Sequence, residues 1–218
     1  MERFSNFKIE HNSLSEKAYH TVKSFIIDNS LRPGEKIIQG RMADQLGISK
    51  IPLIQALTSL YNEGLLEKLP RKGFYVRKFS KTEINEIFDI RSALEMLSVS
   101  FLTKKITPEI KKNLENFLKD FEQAYNKNNS KKYYNVDVSF HQYLIESSKN
   151  ELLKTIIENF NILLICYTKG FVLELDESYS QHKDLIQAII NGDVSKAEMS
   201  IKKHIGSIKD KFSSINNS

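Results

Sequence analysis

Met42-Ala43-Asp44-Gln45-Leu46-Gly47-Ile48-Ser49-Lys50-Ile51-Pro52 reads as the end of one helix, a glycine stop and the start of another. Gly47 enters the left-handed region without a Cβ penalty, and Ser49 offers a hydroxyl to the free amides of the helix that follows. The first helix reaches back to about Gln39. The second runs to about Glu63, where Gly64 closes it. Leu53, Ala56, Leu57 and Leu60 recur at helical spacing and form its packing face, leaving Ser49, Lys50 and Gln55 to point outward.

Working outward, Ser13-Leu14-Ser15-Glu16 has capping-box form, and Leu14, Ala18, Val22 and Ile26 follow on one helical face before Pro33-Gly34 breaks the chain. Downstream, the extended runs Leu65 to Leu69 and Phe74 to Arg77 flank the basic turn Pro70-Arg71-Lys72-Gly73. Three helices and a basic hairpin, in that order, predict a winged helix-turn-helix over residues 10–79. The second helix of such a motif lies in the major groove of double-stranded DNA. Lys50 then suits a phosphate or guanine and Gln55 an adenine edge, with Ser49 beside them. Arg41, together with Arg71, Lys72 and Gly73 on the wing, suits the backbone or the minor groove.

Charge follows the same division. The chain carries a net +5; residues 1–79 hold 13 Lys/Arg against 8 Asp/Glu, and the remainder holds 19 of each. A basic module beside a neutral one fits a nucleic-acid head on a separate body.

The body is expected to be an all-helical bundle over residues 80–214, so the fold class is mainly α. Ser80-Lys81-Thr82-Glu83 is a second capping box at the boundary. Helix starts stand at Thr107-Pro108 and at Asp193 after Gly192; breaks lie near Asn128 to Ser130, Ser147 to Asn150 and Leu173 to Glu177. About six helices result, with Ser213 to Ser218 as a frayed tail. Asp137 and His141 are four residues apart and share a helix face; His182 and His204 sit on later helices. One carboxylate and three imidazoles suit a borderline divalent ion: zinc, nickel or manganese. His11 and His20 read as ordinary side chains of the head.

Of the 218 residues, 40% are hydrophobic and 27% charged, as in ordinary globular proteins. The single cysteine, Cys166, excludes a disulfide framework or a cysteine zinc finger; in its apolar run Ile162 to Tyr167 it reads as a buried thiol of a core helix. No run approaches the ~18 apolar residues of a membrane span, and Met1 to Glu10 lacks the apolar core of a signal peptide, so a cytoplasmic protein without a membrane partner is expected.

The quoted stretch, with Ala56-Leu57, Leu60, Gly64-Leu65-Leu66 and Gly73-Phe74-Tyr75-Val76, resembles the GntR family of bacterial regulators. That family usually has arginine where Lys50 and Ile54 stand, and often where Gly40 stands. Lys50 keeps the charge without the bidentate fork, and Gly40 and Ile54 offer nothing to a base, which implies a divergent operator or weaker binding. The body resembles the FCD ligand-binding domain of the FadR subfamily. The likeness rests on Ile87 to Glu95 with Arg91, on Asp137-Val138-Ser139-Phe140-His141 with Asn150, and on Gln181-His182-Lys183-Asp184-Leu185-Ile186 through Gly192-Asp193 and Ala197 to His204.

The resemblance implies a metal held by Asp137, His141, His182 and His204. Four protein ligands on an octahedral ion leave two positions that a small carboxylate effector can fill. Arg91 is expected either to pair with that carboxylate or to meet Glu95 one turn on. A homodimer on a two-fold operator, controlled by its effector, is the function so implied. Two alternatives stand beside it: a metal-binding sensor with a weakened DNA head, and a metal-dependent enzyme, for example a small hydrolase, for which no nucleophile or general-base motif is evident beside the four ligands.

Overall fold

A computed structural model describes residues 14–159 and 173–215. The expectations for Met1 to Glu10, His11, Ser13, Ile162 to Tyr167 with Cys166, and residues 216–218 fall outside these. The chain divides into two compact units, residues 1–78 and 79–218.

In the first unit α1 (Leu14–Ile27), α2 (Gln39–Leu46) and α3 (Lys50–Asn62) precede a two-stranded antiparallel sheet of β1 (Leu66–Leu69) and β2 (Gly73–Val76). Ala18, Val22 and Ile26 of α1 and Leu53, Ala56, Leu57 and Leu60 of α3 are buried, as their helical spacing requires. The turn between α2 and α3 hinges on Gly47, at φ 64, whose amide donates to the Asp44 carbonyl at 3.2 Å. Ser49 departs from its expected role. Its backbone is that of an N-cap, but its hydroxyl makes no capping bond. Pro52 stands at the third helical position, where the usual donor to such a hydroxyl would be, and proline has no N–H. The hairpin pairs Leu66 with Val76 and Leu69 with Gly73, and its tip turns through Arg71 at φ 60 and Gly73 at φ 92.

The second unit contains, among the described residues, α4 (Lys81–Lys104), α5 (Pro108–Asn126), α6 (Ser130–Ser147), α7 (Glu151–Asn159), α8 (Leu175–Ile190) and α9 (Val194–Ile215). Side-chain caps fix most of their starts, though not that of α8. The Ser80 capping box forms in full: the Glu83 amide donates to the Ser80 hydroxyl at 3.2 Å, and the Ser80 amide donates to the Glu83 carboxylate at 2.8 Å. Thr107, Asn129 and Asp193 accept from the amides of Ile110, Lys132 and Lys196 at 3.2, 2.9 and 3.0 Å. Each such cap stabilises its helix by about 1 kcal/mol.

Helix α4 packs along α9 and also meets α6, α7 and α8, while α5 packs on α6 and α8. The core includes Phe88, Leu114, Phe121, Phe140, Leu144, Leu185 and Ile201. Of the frayed tail expected over Ser213 to Ser218, the described part, Ser213 to Ile215, is helical. Phe212 is buried against Phe88, the Ser213 carbonyl accepts from Lys81 Nζ at 3.1 Å, and α9 continues to Ile215. Among the described residues no helix is long and apolar enough to cross a membrane.

Candidate metal centre

The buried stripes of three body helices are not wholly apolar. On α6 the stripe reads Tyr133, Asp137, Phe140, His141, Leu144; on α8 it includes Ser178, His182, Leu185 and Ile186. On α9 His204 lies between Ile201 and Ile205. Helical spacing that buries the aliphatic neighbours must bury these polar side chains too. Asp137, His141, His182 and His204 are 6%, 0%, 0% and 1% exposed, and one ligand atom from each lies within 4.8 Å of all the others.

The four face inward as a set. Nε2 of His141, of His182 and of His204 are all buried without a hydrogen-bond partner. Oδ1 of Asp137 lies 2.9 Å from Nε2 of His182, without hydrogen-bond geometry, and 3.7 Å from Nε2 of His141. An unmatched buried polar atom costs about 1–3 kcal/mol. Three such nitrogens and a carboxylate around one point form a donor set that a divalent cation satisfies, and imidazole with carboxylate suits zinc, nickel or manganese.

Each imidazole is held from behind through Nδ1. His141 Nδ1 meets Glu95 Oε2 at 2.5 Å, His182 Nδ1 meets the Tyr133 hydroxyl at 2.9 Å, and His204 Nδ1 meets Gln181 Oε1 at 2.9 Å. Gln181 is itself oriented, because its amide nitrogen donates to Glu177 and to Ser207 at 3.0 and 3.1 Å. The Phe121 ring stacks on His182 with centroids 4.3 Å apart. Such backing residues fix ring orientation around metals.

Electrostatics keep the set ready to ligate. Burial pushes the Asp137 carboxyl up, but the imidazoles of His141, His182 and His204 outweigh it and hold the group well below the usual carboxylate range. Burial lowers His182 and, further, His204, so both are neutral with a lone pair available near pH 7. Burial likewise raises Glu95, yet the Arg91 guanidinium and the hydrogen bonds from His141 and Arg91 bring it below its ordinary value.

Arg91 is 2% exposed, and its Nε donates to Glu95 Oε1 at 2.6 Å. Of the two partners expected for it, Glu95 is the one in hand. Tyr133 and Gln181 are supporting residues to which sequence reasoning gave no role, and Glu95 entered it only as a partner for Arg91, not as the support of His141. Their signals were present: Glu95 one turn beyond Arg91, Tyr133 one turn before Asp137, and Gln181 beside His182.

In the other unit Arg41, Ser49, Lys50, Gln55, Arg71 and Lys72 are exposed and Gly73 is half-buried. Ile54 is exposed at 39%. A Cβ on Gly40 would lie 3.7 Å from Lys50 Cε, and one on Gly73 would lie 3.6 Å from Gln39 Nε2. The start of α2 therefore approaches both Lys50 and the wing, and Gln39 joins this surface although the sequence did not single it out. His20 is exposed, with its ring against Tyr19.

Two family patterns match the chain: the gntR family of bacterial regulatory proteins over residues 14–76 and the FCD domain over residues 86–207. The HTH-type transcriptional regulator YdhC of Bacillus subtilis (strain 168) is 30% identical over 147 residues, covering 67% of this chain and 66% of its own length. The HTH-type transcriptional regulator McbR of Escherichia coli (strain K12) is 29% identical over 151 residues, covering 69% of this chain and 68% of its own. The matched stretches thus span about two thirds of these two relatives. Among solved structures, E. coli McbR/YncC superposes with a TM-score of 0.76 at 21% identity, over 94% of this chain and 99% of that one. A Rhodococcus sp. RHA1 regulator described as GntR superposes with a TM-score of 0.74 at 15% identity, over 92% and 98%. At those identities the likeness is one of fold. The relatives are named as regulators and not as enzymes, which removes the enzyme reading. The chain belongs to the gntR family of bacterial regulatory proteins, and within it to the transcriptional regulators that carry an FCD domain.

Proposed function

We propose that this protein is a metal-dependent, effector-responsive DNA-binding regulator. Its body holds one divalent ion, zinc, nickel or manganese, through Asp137, His141, His182 and His204. A small carboxylate completes the coordination sphere, with the Arg91 guanidinium as a neighbouring cation. Its head, residues 10–79, reads double-stranded DNA with Ser49, Lys50 and Gln55, while Arg41, Arg71, Lys72 and Gly73 hold the phosphates or the minor groove. Two copies act together in the cytoplasm on a two-fold operator. Effector binding in the body, residues 80–214, shifts the population of DNA-competent dimers.

The observation that carries the sensing half is the group of three buried Nε2 atoms without a hydrogen bond, gathered about a buried carboxylate. Metal analysis after loading with zinc, nickel or manganese and desalting tests it. About one ion per chain is expected in the wild type and much less in His204→Ala; equal and negligible content in both overturns the metal site. The DNA half is tested by fluorescence anisotropy on the DNA upstream of the protein's own gene. A selective, salt-sensitive shift that a candidate acid alters supports the regulator. Loss of selectivity under every condition leaves a sensor with a weakened head, the reading favoured by Gly40 and the exposed Ile54.

A further inference from the structure

The Arg91–Glu95–His141 chain is the part of the body with the most constrained polar geometry. All three side chains are at most 2% exposed. Both Glu95 oxygens are engaged, Oε1 by Arg91 Nε at 2.6 Å and Oε2 by His141 Nδ1 at 2.5 Å. An ionised carboxylate can only accept, so the hydrogen on His141 must sit on Nδ1. Nε2 of His141 is then left with a bare lone pair, directed at the space shared with Asp137, His182 and His204.

We infer that Glu95, held in place by Arg91, is the positioning residue that sets the His141 tautomer and thereby makes His141 a metal ligand. This rests on the metal site proposed above and adds what that site does not contain: the residue that decides whether one of its four donors can ligate. Glu95 need not touch the ion. Its effect passes through one hydrogen, whose place on the ring decides which nitrogen is free.

The geometry makes an unusual demand on Glu95→Gln. A glutamine has one accepting oxygen and one donating nitrogen, and an arginine only donates. Arg91 therefore takes the amide oxygen and the amide NH2 is turned to His141 Nδ1. That nitrogen must now accept, so the hydrogen moves to Nε2 and blocks the ligand position. Removing the arginine as well, in Arg91→Met/Glu95→Gln, frees the amide to rotate and accept from Nδ1–H again. The second substitution should thus repair part of the damage done by the first, which loss of packing would not do.

The test is a competition titration of metal against a chelator for the wild type, Glu95→Gln and the double variant, each first shown to be folded by circular dichroism. The hydrogen position on His141 is followed by 15N NMR of the metal-free proteins. The expected result is metal affinity about 10- to 100-fold lower in Glu95→Gln, partial recovery in the double variant, and an Nε2–H signature in Glu95→Gln alone. Equal affinities in the wild type and Glu95→Gln overturn the role of Glu95 while the metal site stands. Affinity that falls further in the double variant also overturns it, showing a packing role instead. A wild type that binds no metal overturns both readings. If Glu95→Gln does not fold, the wild-type NMR decides: hydrogen on Nε2 of His141 in the metal-free wild type contradicts the inference, and hydrogen on Nδ1 supports it.

Discussion

The side chains proposed to function are carried in opposite ways by the head and the body. In the head, Arg41, Ser49, Lys50, Gln55, Arg71 and Lys72 are exposed on elements whose apolar faces are packed elsewhere. In the body, Asp137, His141, His182 and His204 lie within the apolar stripes themselves, at most 6% exposed. A surface side chain can change with little effect on folding, whereas a buried polar one is tolerated only if its neighbours satisfy it. The head therefore separates stability from function, and the body combines them.

The largest break in this contrast should come from Phe121→Ala. The ring is fully buried and stacks on His182, so its removal should cost about 3–5 kcal/mol in denaturant unfolding and lower metal content together. Normal metal content despite that loss would separate the core from the site. Next is metal removal. With free metal at about 100 times Kd, binding adds roughly 2.7 kcal/mol, so EDTA should lower the wild-type Tm and leave that of His204→Ala unchanged.

Acid should act on the metal-free body with a definite sign. Burial depresses His182 and His204 in the fold, so between their folded and unfolded values the unfolded chain binds more protons. Stability from this source is complete above about pH 6.5 and declines as pH falls below it. The lowered Asp137 and Glu95 add a further loss only when pH drops beneath about 4. Denaturation midpoints measured from pH 8 to 4 check this; a flat profile between 7 and 5 contradicts the burial argument. The smallest effect on stability belongs to the head. Lys50→Ala and Arg71→Ala should leave the unfolding free energy within about 0.5 kcal/mol. The same variants should weaken DNA binding and reduce its salt slope by about 0.9 for each phosphate no longer neutralised.

Legibility differed between the two regions for the same reason. The α2–α3 turn could be read because Gly47 and the spacing of Leu53, Ala56, Leu57 and Leu60 are local signals. Even there Ser49 takes the N-cap backbone without the capping bond, since Pro52 offers its hydroxyl no amide. Ser213 to Ile215 stay helical rather than fraying, because Phe212 finds its partner Phe88 far away in sequence. In the body, the Asp137–His141 pair followed from spacing alone, but joining it to His182 and His204 needed a family resemblance. Nothing in the spacing of His182 and His204 says that their rings meet, with centroids 4.3 Å apart.

Helix starts, the hairpin tip, the basic bias of the first 79 residues and which side chains share a face were settled by the sequence, because each depends on a few consecutive residues. Which nitrogen of each histidine faces inward, and that Arg91 binds Glu95, was decided by the packing of α4, α6, α8 and α9. Those are distances between remote segments, and they come into being only when the core closes.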